Sequence, residues 1–155
     1  MTICNPSKYS ASSIYDLSVS DLTRSVDFYE RILPALGFRW LADDPDNVRW
    51  ANAGLTIGLR AADRTQRGTA FNRYRAGLHH VAFKALSRAD IDRFHRFLVQ
   101  AEVAILDAPA EYPQYGDGYY AMFFADPDGM AHFPWGDWKT TQLTGRDQRA
   151  RYSRG

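Results

Sequence analysis

The sequence predicts an α+β fold: two βαβββ modules, at about 12–60 and 78–135, forming a curved mixed sheet around a cleft with the helices outside. Three observations predict it. The order strand, helix, three strands occurs twice. Val26-Asp27 and Ile91-Asp92, Arg31 and Arg96, and Leu33 and Leu98 all correspond at one offset, 65 residues. Finally, a module of roughly 60 residues cannot bury both faces of its own sheet, so two copies must share the work.

The elements follow in order. Ser12–Val19 alternates as a strand, with Ile14, Asp16 and Ser18 on one face and Tyr15, Leu17 and Val19 on the other. Ser20 offers a hydroxyl to cap a helix in Asp21–Leu36, where Leu22, Val26, Tyr29, Leu33 and Leu36 recur at helical spacing. Pro34 and Gly37 end it. Strands at Phe38–Ala42, Asn47–Ala51 and Leu55–Arg60 are separated by Asp43-Asp44-Pro45-Asp46 and Asn52-Ala53-Gly54 turns. Residues 61–77 are polar, rich in Arg, and read as a linker. Leu78–Lys84 opens the second module. Ser87 and Asp90 have capping-box spacing before a helix whose stripe is Ile91, Phe94, Leu98 and Ala101. Val103–Leu106, Tyr119–Ala125 and Met130–Trp135 read as strands, the last two joined by an Asp126-Pro127-Asp128-Gly129 turn.

Composition narrows the function. Hydrophobic residues are 45% and charged residues 24% of 155, a globular balance that excludes global disorder. The formal charge of +1 gives no field to attract nucleic acid or a membrane surface. The lone cysteine, Cys4, excludes an internal disulfide and a cysteine-rich zinc site. No apolar run nears the roughly 20 residues that cross a bilayer, and the start has no signal-peptide pattern, so a cytoplasmic location is expected. Residues 138–155 form a basic C-terminal tail, in which five basic residues face one acid. Aromatics make up 14% and must line a core or a ligand cavity. Nucleophilic catalysis has no support, since no G-x-S-x-G elbow or Gly-rich phosphate loop is present.

Val19-Ser20-Asp21-Leu22 with Ser25-Val26-Asp27-Phe28-Tyr29 resembles the first strand-to-helix junction of the vicinal oxygen chelate superfamily. Gly77-Leu78-His79-His80-Val81-Ala82-Phe83 resembles the start of its second module, and Gly118 to Gly129 its final hairpin. That group includes glyoxalase I, bleomycin-resistance proteins, fosfomycin-resistance enzymes and extradiol dioxygenases. The resemblance spans roughly residues 12–135 and implies one domain over 12–137. It also implies where metal-dependent members would hold their ligands: Ile14, Gly58, His80 and Phe133 here. Of these only His80 can ligate, whereas a catalytic zinc or iron site needs about three protein ligands. No cofactor is therefore expected. The alternative is a divalent metal (Fe, Zn, Ni or Mn) on Asp16, His80 and His132, which requires a bulge to turn His132 inward.

The expected function is a small-molecule-binding protein of the bleomycin-resistance, antibiotic-sequestering kind, a homodimer, taking a planar or apolar ligand in an aromatic-lined cleft. Ile14, Arg60, Phe133, Trp135, Tyr112 and Tyr115 are the candidate ligand contacts. Arg60 would meet a carboxylate or phosphate, and the 110–117 loop with its two tyrosines could act as a lid. His79 and His80 adjoin on a strand, so only one of them can face the cleft. The rival is an enzyme: a metal-dependent lyase or dioxygenase, or a metal-free isomerase or cyclase with His80 and Asp16 as acid–base groups. A non-catalytic scaffold that associates through the tail is the third reading.

Overall fold

The computed structural model of the chain describes residues 13–44 and 47–137. Cys4, the basic tail and the middle of the first hairpin turn lie outside the described residues. The two modules are present. The first contains β1 (Ser13–Val19), α1 (Leu22–Ile32), a short 3-10 turn (Leu33–Leu36), β2 (Arg39–Asp44), β3 (Asn47–Asn52) and β4 (Leu55–Ala61). The second contains β5 (His80–Lys84), α2 (Arg88–Gln100), β6 (Ile105–Glu111), β7 (Tyr119–Ala125) and β8 (Ala131–Asp137). Each builds one four-stranded mixed sheet, in the orders β1-β4-β3-β2 and β5-β8-β7-β6. The chain divides into two compact units: residues 13–72 with the turn Asp126–Gly129, and the remainder from Arg73.

In the first unit, parallel β1–β4 pairing puts Ile14 opposite Thr56, Asp16 opposite Gly58 and Ser18 opposite Arg60. The alternate residues Leu17, Val19, Ile57 and Leu59 are buried, as are Phe28, Tyr29, Ile32 and Leu33 from α1 and the turn after it. Burying these side chains is the main driving force, each aliphatic or aromatic one contributing about 1.5–3 kcal/mol. The apolar side of α1 is centred on Ser25, Phe28, Tyr29 and Ile32 rather than on Val26 and Leu36. The cap also differs from expectation. Asp21, not Ser20, is the N-cap, its carboxylate accepting from the Arg24 amide. Ser20 is drawn away because its amide and hydroxyl both donate to Asp128, at 2.8 and 2.5 Å.

The Asp126–Gly129 turn forms as the sequence predicts. The Gly129 amide donates to the Asp126 carbonyl at 2.9 Å, and Gly129 takes a left-handed φ of 87°. Its Asp126 carboxylate is buried and accepts from the Tyr29 hydroxyl at 2.7 Å. Burial and the adjacent Asp126 charge push the Tyr29 phenol well above its ordinary range, so it stays a donor.

In the second unit, α2 begins at Ser87, whose hydroxyl accepts from the Asp90 amide at 3.2 Å and donates to the Asp90 carboxylate at 2.7 Å. Ile91, Phe94 and Leu98 are its buried side. Phe94 meets Phe124 of β7 edge-on at 5.7 Å. The sequence misplaces β6, expected at Val103–Leu106. The strand is Ile105–Glu111 and contains Pro109. A proline removes one ladder donor, which an edge strand tolerates, and β6 is an edge with register shifts on either side of Asp107. The expected 110–117 lid is correspondingly shorter. Ala110 and Glu111 pair with β7, and the turn is closed by the Tyr112 amide donating to the Tyr119 carbonyl at 2.9 Å.

Tyr29→Phe should leave the buried Asp126 carboxylate short of a charge-assisted donor and lower unfolding stability by about 1–3 kcal/mol, read as a drop in urea midpoint with unchanged m-value. An unchanged midpoint would show that other partners of Asp126 suffice.

Candidate functional site

Alternation gives each sheet one side packed with its helix and one side turned away from it. The site candidates fall on the sides turned away. In the first unit these are Ile14, Asp16 and Arg60, together with Gly58. Ile14 is 64% exposed, an apolar side chain left in solvent. Asp16 lies across Gly58 so closely that a β-carbon there would sit 2.1 Å from its Oδ1. Its Oδ2 is 3.6 Å from Arg60 Nε and 3.7 Å from Arg49 Nη2. Arg49 stands opposite Gly58 from the β3 side. With its carboxamide oxygen toward the arginines, the buried Asn47 accepts from Arg49 at 2.6 and 3.0 Å and from Arg60 at 3.2 Å. Arg49 and Asn47 were not singled out from sequence, although both share β3 parity and stand apart from Val48 and Trp50.

In the second unit, His80, Phe133 and Trp135 share a side, since β5 runs parallel to β8 with His80 opposite Ala131, Ala82 opposite Phe133 and Lys84 opposite Trp135. Tyr119 and Phe123 of β7 have the same parity. Ring contacts run unbroken across this face. His80 meets Phe133 at 4.8 Å, Phe133 meets Phe123 at 4.7 Å, and Phe123 meets Tyr112 at 5.4 Å. Tyr112 continues to Tyr115 at 6.0 Å and Tyr115 to Tyr119 at 5.3 Å. Tyr119 stacks on Trp135 at 5.1 Å with an 11° interplanar angle, and the Lys84 ammonium lies 5.3 Å from the Trp135 ring. Burial among these groups raises the Tyr119 phenol to about 12 and the Tyr112 phenol in the same direction. Both hydroxyls are therefore neutral donors at physiological pH. Tyr119, Phe123 and Lys84 are additions to the sequence-derived set; strand parity with Trp135 was the signal available for the first two.

One alternative is not met here and one expectation is corrected. His132 does not join His80. The β8 register runs without a shift through Val81↔His132 and Phe124↔His132, so no bulge turns it, and it stays on the helix side. There it is 1% exposed, stacked with Phe124 at 5.4 Å and with Phe83 at 6.3 Å. The alternative Asp16–His80–His132 ligand set therefore does not assemble, because His80 and His132 occupy opposite faces of one sheet. Nor do His79 and His80 point apart. β5 starts only at His80, so alternation does not bind His79, and the two Nδ1 atoms lie 2.7 Å from each other. Only one proton can occupy that contact. His80 titrates below its ordinary 6.5, chiefly through desolvation, then through the charges of His79, Arg73 and His132. His80 is thus a neutral imidazole at pH 7.

The four positions that the superfamily resemblance assigns to metal ligands carry one donor, His80, with Phe133 packed against it. That donor set does not fit a three-ligand metal centre. Among the described residues, no three His, Cys, Asp or Glu side chains cluster as a metal would require. Among the same residues, no helix is long and apolar enough to cross a membrane.

Comparison with known proteins agrees with the two-module architecture. The uncharacterized protein YqjT of Bacillus subtilis (strain 168) is 29% identical over 113 residues, which is 73% of this chain and 88% of the relative. A glyoxylase/bleomycin resistance protein/dioxygenase domain from Frankia sp. EAN1pec superposes with TM-score 0.66 at 26% identity, covering 84% of this chain and 100% of that one. Lactoylglutathione lyase from Agrobacterium tumefaciens has the same fold, with TM-score 0.63, 20% identity, and 86% and 99% coverage. The family model described as glyoxalase/bleomycin resistance protein/dioxygenase superfamily matches residues 13–131, and the chain belongs to that superfamily.

Proposed function

We propose that the protein binds a planar or apolar small molecule on the aromatic face of its second unit, without a metal at the family's ligand positions. The observation that carries this reading is the unbroken run of rings from His80 through Phe133, Phe123, Tyr112, Tyr115 and Tyr119 to Trp135. Such a surface offers a flat ligand large contact area at low conformational cost, because the rings already hold one another in place. His80, Tyr112, Tyr119 and Lys84 supply the few polar groups that orient a ligand on an otherwise apolar surface. A cytoplasmic homodimer that sequesters a drug is the specific form of this reading. Phe133 supports the metal-free part: it fills with a ring the place where a carboxylate ligand would stand.

A second reading, metal-free acid–base catalysis, is favoured by one observation, the neutral His80 beside His79. Asp16 is a poorer companion in that scheme, since two guanidiniums already face it.

The binding reading is tested with a neutral planar probe, 2-naphthol, by equilibrium dialysis. Trp135→Ala should weaken it about tenfold while the fold is retained. Unchanged affinity in both Trp135→Ala and Phe133→Ala would overturn the assignment. Metal analysis of protein purified without chelator gives the other limit: stoichiometric metal lost in His80→Ala would overturn the metal-free part.

The state of His80 makes a separate prediction with a defined sign. Its folded value lies below the ordinary 6.5, so the unfolded chain takes this proton first as pH falls. The contribution of His80 to stability is intact above about 6.5 and declines from there down to its folded value. By NMR, the His80 ring should titrate below 6.5, and His79→Ala should move the midpoint upward. A midpoint at or above 6.5 in the native protein would contradict the environment described for this ring.

A further inference from the structure

We infer that Arg49 and Arg60 of the first unit, set by Asn47 around Gly58, form a binding site for the carboxylate of a small molecule, with Asp16 as an exchangeable internal occupant. The inference uses residues of the first unit alone.

The arrangement has no adequate explanation in stability. Asp16, Arg49 and Arg60 have side chains 34%, 37% and 51% exposed, and their ion pairs span 3.6–3.7 Å. Exposed pairs of this kind contribute about 0–1 kcal/mol. Against that, the chain buries the Asn47 carboxamide to 3% exposure and turns its oxygen to both guanidiniums. A buried amide costs free energy unless bonded, and here its bonds fix two long, otherwise mobile side chains in one orientation. Fixing donors before a ligand arrives is preorganisation, which raises affinity by removing the ordering cost from the binding step.

The chemistry selects a carboxylate. Two guanidiniums and one carboxylate leave a net positive charge on an exposed strand surface. Among the described residues, Asp16 and Asn47 are the partners of both arginines, and they engage only part of the ten N–H donors that two guanidiniums offer. The group already held between the arginines is itself a carboxylate, that of Asp16. Its separations are well beyond the 2.7–2.9 Å of a charge-assisted bond. A free carboxylate can reach that bidentate geometry, whereas Asp16 is tethered to β1. Gly58 is what allows Asp16 to wait there, since a β-carbon would strike Oδ1 at 2.1 Å. An arriving carboxylate displaces Asp16 toward solvent and takes over the guanidiniums.

The test uses the full chain and two saturated probes, cyclohexanecarboxylate and the uncharged cyclohexanecarboxamide, followed by NMR of the Gly58 amide and the Arg49 and Arg60 Nε–H signals. The carboxylate should give saturable shifts there and the amide none. Arg49→Gln and Arg60→Gln should each weaken binding about tenfold, with Arg60→Lys in between because an ammonium keeps the charge but not the fork. Asp16→Asn should tighten binding several-fold by removing the internal competitor. Thermal melts identify any variant that fails to fold, and Arg60→Lys, the mildest change, then carries the comparison. Equal shifts from the amide, indifference to all the arginine changes, or weaker binding in Asp16→Asn would overturn the site. Inorganic phosphate binding as tightly as the carboxylate would overturn its assignment to carboxylates.

Discussion

Strand alternation is the constraint on which the rest of the structure depends. In each unit the helix covers one side of a four-stranded sheet, and every residue of odd or even parity inherits its environment from that fact. Leu17, Val19, Ile57 and Leu59 go to the helix side of the first sheet; Asp16, Gly58 and Arg60 go to the other. Met122, Phe124 and His132 go to the helix side of the second; His80, Phe123, Phe133 and Trp135 go to the other. A shift of one residue in β8 would turn Phe133 and Trp135 to the helix side and bring His132 beside His80. The register of a single strand thus decides between a surface of rings and one with two histidines.

What could be read in the sequence follows the same logic. The two-module order, both helices, the Asp126–Gly129 turn and the shared side of Phe133 and Trp135 all rest on local periodicity, which a sequence displays. β6 did not, because Pro109 imitates a loop and only its edge position makes it acceptable. The Ser20 cap was lost to Asp128, a residue 108 positions away, and no local pattern reports such a competitor. His79 escapes alternation because β5 begins one residue after it, at a boundary no local pattern marks. The ligand positions Ile14, Gly58, His80 and Phe133 were legible only as identities. That Gly58 has a specific use, making room for Asp16, needed the register of β1 against β4.

The two units share one strand-and-helix order but carry different chemistry on the side of the sheet turned from the helix. The side of the first sheet turned from α1 carries charge: Asp16, Arg49 and Arg60 around a buried Asn47. The corresponding side of the second carries rings, with its one imidazole held neutral. In each unit the helix side supplies most of the buried apolar surface. The open face of the second sheet is not all surface, since Ala121, Ala131 and Phe133 on it are buried.

Membership of the superfamily therefore fixes the packed core of this chain but not the chemistry of its open faces. The fold needs Leu17, Ile57, Leu98 and Phe124 where they are, since each fills a packed interior and its truncation would leave a cavity costing several kcal/mol, of order 2–5. It does not need any donor at Ile14, Gly58 or Phe133, since those positions face away from the helices. Ile14 is 64% exposed, so a change there leaves the core intact, whereas Phe133 is buried and contributes to it. His80 faces away from the helix like Phe133 and Trp135. Its ring packs on Phe133, and its Nδ1 meets His79 Nδ1 at 2.7 Å, which leaves Nε2 outside that contact.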